Sequence, residues 1–168
     1  AKEAADRIEI SYLRRCIDRP SKHSDIGKWV SAHFDGRILL HDRALSMLSQ
    51  RESRDVDITL LCDALDFLGT DYWETVFGSL SQENMLNNCS LKYQRPFSVA
   101  PIQDRTIAHT TTQYHIPYAD KPNAKEKMHP LKLHLKVRND SASLLRIYFF
   151  LDKRRQLIVI GSLPHHLK

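Results

Sequence analysis

Cysteine organises nothing in this chain. The three residues, Cys16, Cys62 and Cys89, are odd in number and far apart, and no C-x-x-C occurs. That argues against a disulfide framework and against a cysteine zinc site. Long apolar runs are also missing. Stretches such as Leu157 to Ile160 fall far short of the ~20 residues that span a bilayer. The segment from Ala1 to Asp18 is charged throughout and lacks the apolar centre of a signal peptide. Internal repeats and low-complexity tracts are absent, and no His or acidic cluster stands at metal-ligand spacing. These absences predict a soluble, cytoplasmic protein with no membrane partner, no metal and no cofactor.

Acidic residues are scarce in one part only. Across 1–90, 11 Lys and Arg face 15 Asp and Glu; across 91–168, 14 face 5. The first part therefore carries −4 and the second +9, with six of the nine His in the second. Such asymmetry points to nucleic acid or another polyanion as partner.

With 42% hydrophobic residues, the chain can build a core. Helical patterns fill its first half. They cover 2–17, a stretch from Ser24 or Asp25 to Phe34, 41–50, about 56–68, 71–77, and a helix started by Ser81. The clearest is 56–68, where Ile58, Leu61, Cys62, Leu65 and Leu68 recur at helical spacing and Gly69 reads as a stop. Arg37 to Leu40 reads as a short strand. From Pro96 onward β-branched and aromatic residues dominate, so 97–102 and 106–116 read as extended, and the proline-containing 117–130 as a loop. The expected class is α+β, with a helical region over 1–92 and a basic antiparallel sheet over 93–168.

Residues 131–138 read Leu-Lys-Leu-His-Leu-Lys-Val-Arg. This strict alternation predicts a strand with Leu131, Leu133, Leu135 and Val137 inward and Lys132, His134, Lys136 and Arg138 outward. Asn139-Asp140-Ser141 signals a turn. Residues 144–151 then put Leu145, Ile147, Phe149 and Leu151 on one face and Arg146, Tyr148 and Phe150 on the other. Leu157 to Ile160 is apolar on both faces and reads as a central strand. Short connections predict an antiparallel meander. Its common core forces Lys132, His134, Lys136, Arg146 and Tyr148 together on an open opposite face. Cations crowded this way repel one another, and a phosphate relieves the repulsion. Tyr148 and Phe150 suit base stacking. The alternatives are an ordinary solvated face and, for Arg146, a salt bridge to Asp152 or to an N-terminal acid. His165 and His166 suit acid–base work, RNA contact or plain packing. Adjacent residues of a strand point oppositely, which disfavours joint chelation of one ion.

The run from Leu131 to His166 resembles the C-terminal sheet of RelE/ParE-type bacterial toxins. The resemblance is carried by the basic strand with Lys132 and Lys136, by Leu145-Arg146-Ile147-Tyr148-Phe149, and by Ile158-Val159-Ile160-Gly161 leading to His165-His166. It implies a RelE-like sheet and a metal-independent mRNA endoribonuclease acting by 2′-OH attack. In that reading Arg146 and Lys136 stabilise phosphoryl charge, His134 and His166 serve as acid and base, and Tyr148 orients the nucleotide. Lys132, Arg138, Phe150 and His165 bind the nucleic acid, and an acidic partner such as an antitoxin is implied.

Two other functions compete. One is a nucleic-acid-binding module without catalysis. A helix-turn-helix over 41–68 does not serve it, because Asp57, Asp63 and Asp66 on the outer face of the second helix would repel a groove. The other is a protein-interaction component of a toxin or defence system, with Trp29, Tyr72, Trp73 and Phe77 as an aromatic patch.

Overall fold

The computed structural model describes residues 2–109, 113–137 and 144–167. Its class is α+β. The helices are α1 (Lys2–Ile17), α2 (Ile26–Phe34), α3 (Asp42–Ser49), α4 (Ile58–Phe67), α5 (Trp73–Phe77), α6 (Gln82–Tyr93) and α7 (Asp104–His109). The strands are β1 (Ile38–Leu40), β2 (Val99–Pro101), β3 (His115–Tyr118), β4 (Lys127–Pro130), β5 (Leu133–Val137), β6 (Leu145–Asp152) and β7 (Leu157–Ser162). None of the described helices is long and apolar enough to cross a membrane.

The main sheet has the order β1-β7-β6-β5-β2. The β5-β6-β7 meander is antiparallel, as the alternation predicts. The sheet as a whole is mixed, because β1 from the helical region lies parallel to β7. β7 is central and buried along its whole length.

One face of the sheet carries Leu135, Val137, Leu145, Ile147, Phe149, Ile158 and Ile160 against the helices, in a single core with Phe34, Leu61, Leu65 and Phe67. That core draws on both halves of the chain. Asp57 caps α4 by accepting the Leu60 N–H at 3.1 Å, and Ser81 caps α6 by accepting the Asn84 N–H at 3.1 Å. Gly69 does not stop its helix. The chain continues through a π-helical turn, Leu68–Tyr72, into α5. A Cβ at Gly69 would lie 2.5 Å from the Phe34 ring, so the glycine is there for close packing. The proposed aromatic patch is spent on packing as well. Trp29 is buried, Tyr72 meets Phe149 edge-on at 5.7 Å, and Trp73 lies under the Arg37 guanidinium at 4.1 Å and beside Phe77 at 5.5 Å.

Asp63 and Asp66 are not on an outer face. Helix α1 covers them although it has no buried residue of its own. Arg15 reaches Asp66 at 2.5 Å and Arg19 reaches Asp63 at 2.6 Å. Tyr12 donates to Asp63 at 2.7 Å, and Tyr93 donates to Asp66 at 2.5 Å. From α6, Lys92 pairs with Asp71 at 2.6 Å. The acids of the first half thus neutralise local cations and hold α1 on.

The opposite face of the sheet is not open along its length. Tyr148, Phe150, Leu157 and Val159 form a second core with Tyr114, Ile116, Tyr118, Leu131 and Ile107. Two expectations are corrected here. Residues 106–109 end a helix, α7, rather than begin a strand, and 127–130 form a strand paired with β3. The hairpin tolerates Pro117 and Pro130 because a two-stranded ribbon leaves half of its N–H positions without a ladder partner. Leu131 lies in this second core rather than with Leu133 and Leu135, because regular alternation begins at Leu133. Gly161 lets the hairpin close, since a Cβ there would meet Leu131 at 2.7 Å.

Candidate functional site

The antiparallel register of β5 and β6 sets His134 opposite Tyr148 and Lys136 opposite Arg146. Like charges directly opposite across two strands are unfavourable. Lys136 and Arg146 are both half-buried, and among the described residues no carboxylate pairs with either. Asp152, the sequence's nearest candidate for Arg146, instead accepts from the Tyr118 hydroxyl at 2.6 Å. The Arg146 guanidinium donates through Nη1 to the carbonyls of Leu145 at 2.9 Å and Val137 at 3.2 Å. Those bonds fix its orientation without neutralising it, and leave Nε and Nη2 without a partner among the described residues.

His134 lies beside this pair. Burial pushes its pKa down to about 4, with Lys136, Arg146 and His166 adding to the shift. The imidazole is therefore neutral at pH 7. Its Nδ1 is buried without a hydrogen-bond partner among the described residues. A neutral imidazole beside two cations is a base whose conjugate acid gains stability only once an anion arrives.

The segment after β7 brings in His166. The Arg146 N–H donates to the Pro164 carbonyl at 2.8 Å, and the Leu167 N–H donates to the Tyr148 hydroxyl at 3.2 Å. The Tyr114 hydroxyl donates to the Leu167 carbonyl at 3.4 Å. Residues 164–167 are thereby laid along β6. His166 meets the Tyr148 ring edge-on at 6.5 Å, while the His134 ring lies 5.7 Å from it. The two imidazoles thus flank one phenol.

Arg146, His134, Lys136, His166 and Tyr148 come together. Tyr148, however, is 2% exposed and packs edge-on against Tyr114 at 5.6 Å, so it offers no platform to a base. Burial also pushes its phenol up to about 12. Phe150 is likewise covered. Its ring stacks on His129 at 5.0 Å and 12° and meets Tyr118 at 5.2 Å. His165 turns away, with Nε2 2.6 Å from the Glu52 carbonyl oxygen. Lys132 is exposed just before β5 and lines a cavity with Phe150. Arg138 and the expected turn over 139–141 lie outside the described residues. Tyr114 and Leu167 escape sequence reasoning, since their contribution is a long-range contact that no local pattern announces.

The arrangement joins a Lys–Arg pair that no carboxylate of the described residues neutralises to two histidines, one of them held neutral. Among the described residues no three His, Cys, Asp or Glu side chains gather in a metal-binding group. Comparison with known protein families, curated proteins and solved structures finds no match for the chain.

Proposed function

We propose that the chain is an RNA-binding protein that cleaves its RNA as a metal-independent endoribonuclease, of the kind the resemblance to RelE-type toxins implies. The observation that carries this reading is the Lys136–Arg146 pair beside neutral His134, with no carboxylate paired to either cation among the described residues. A structural cluster of this size would be balanced by acids, as it is around Asp63 and Asp66. A phosphodiester supplies the missing charge.

His134 takes the proton of the ribose 2′-OH, whose oxygen attacks the adjacent phosphorus. The P–O bond to the 5′-oxygen breaks, and His166 serves as the acid that delivers a proton to that leaving oxygen. The products are a 2′,3′-cyclic phosphate and a 5′-hydroxyl end. Arg146 and Lys136 stabilise the charge that builds on the phosphoryl oxygens, usually the largest single contribution in such reactions. Tyr148 does not stack on the base in this scheme. Its hydroxyl holds Leu167 and so positions His166.

Purified protein incubated with labelled RNA in EDTA is expected to release cyclic-phosphate ends. Arg146→Ala is expected to lower the rate by about 10²–10³-fold while circular dichroism stays unchanged. Steep salt dependence of binding without cleavage would reduce the reading to an RNA-binding module. Absence of RNA binding at ~100 mM salt would remove it.

A further inference from the structure

We infer that the cavity beside Phe150 is a second subsite, which takes one nucleotide of a single-stranded RNA whose backbone continues past the Lys136–Arg146 pair. This rests on the RNA reading above and names the form of RNA and the length it must have. The cavity measures about 390 Å³ and is lined by His129, Lys132, Leu133, Phe150, Leu151 and Lys153, together with Pro130. That volume suits one small planar ligand.

Each part of the lining has a separate task. The stacked His129 and Phe150 rings form a fixed wall, backed by Tyr118. Leu133 and Leu151 are only half-buried and supply apolar surface for a base. Lys132 and Lys153 are exposed, and among the described residues neither pairs with a carboxylate. Two exposed ammonium groups around an apolar slot match a ligand that is flat and apolar in one part and anionic in another.

Position supplies the remaining argument. Tyr148 is covered and closes the direct path along β6, but Lys132 of the cavity stands four residues from Lys136, ~13 Å along an extended chain, with half-buried His134 between them. An RNA strand with one phosphate on the Lys136–Arg146 pair passes this cavity a short way along its backbone. The base must be unpaired to enter, because duplex RNA keeps its bases stacked.

The test uses the full chain and 2′-O-methyl RNA oligonucleotides, which cannot undergo 2′-OH attack, with affinity read by fluorescence anisotropy. A dinucleotide and a hexanucleotide are compared in wild type, in the Lys132→Ala/Lys153→Ala double variant, in Arg146→Ala, and in a Lys125→Ala/Lys127→Ala control. Lys125 and Lys127 are exposed and outside the cavity. The double variant is expected to bind the hexanucleotide about tenfold more weakly and the dinucleotide unchanged. Its salt slope should fall by about 1.4, the value for two phosphates of a single strand. Arg146→Ala should weaken both ligands. If the hexanucleotide binds the double variant as it binds wild type, or the control loses as much, the subsite is wrong while the RNA reading stands. If wild type binds neither ligand, both fall together.

Discussion

The molecule holds two clusters of charge, and they are built on opposite principles. Between α1, α4 and α6, Asp63, Asp66 and Asp71 meet Arg15, Arg19 and Lys92, so that each acid has a cation within 2.6 Å. At the β5–β6 end, Lys136 and Arg146 face each other beside His134 and His166 with no carboxylate paired to the cations among the described residues. The first cluster is closed and holds a helix in place. Among the described residues the second has no such partner, although the same fold gives fully buried Asp66 a cation. Charge left unmatched in one place and matched with care in another distinguishes a binding surface from a structural one.

The comparison breaks most visibly at Asp66, which is fully buried. Asp66→Ala strands Arg15 and should cost about 3–5 kcal/mol in denaturant unfolding. A loss below ~1 kcal/mol would mean that the network is not the clasp described. The second cluster should answer to pH. His134 titrates near 4 in the folded chain against about 6.5 when unfolded. The unfolded state therefore binds the extra proton as pH falls, and stability present above about 6.5 is lost on the way down to about 4. His134→Gln should flatten that part of the stability profile. Adding a short RNA should move the His134 midpoint upward by NMR, because the phosphate offsets its cationic neighbours. An unmoved midpoint would count against anion binding there.

Tyr148→Phe removes the acceptor for the Leu167 N–H and should cost about 0.5–1.5 kcal/mol. In a cleavage assay it should lower kcat more than KM, since His166 loses its anchor. The smallest effect should come from Lys136→Gln. Removing one of two facing cations should leave the melting temperature unchanged or raise stability by up to ~1 kcal/mol, while weakening RNA binding. Clear destabilisation by this change would show the pair to be structural after all.

The alternation of residues 131–138 and 144–151 was enough to place His134, Lys136, Arg146 and Tyr148 on one face, because a strand has only two sides and one must be apolar. It was not enough to show what lies on that face. Tyr114, Ile116 and Tyr118 cover half of it from a hairpin interrupted by prolines, whose local composition resembles a loop. Asp63 and Asp66 misled for a related reason. Acids on a helix look solvent-facing until a distant segment supplies their partners, and Arg15 of α1 and Arg19 just after it lie 51 and 44 residues from the acids they meet. β1 was legible as a strand, but its parallel partner was not.

That partner has a consequence for how the protein comes into being. Ile38 pairs with Ile158, across more than two-thirds of the described length. The strand that joins β1 to β6 is thus supplied by residues made after those of both its neighbours. A nascent chain that extends only as far as Phe150 contains neither β7 nor the segment that carries His166. Closing so distant a pairing is slow compared with forming the helices. Until it closes, the nascent chain has the cations of its candidate site but not the assembled site.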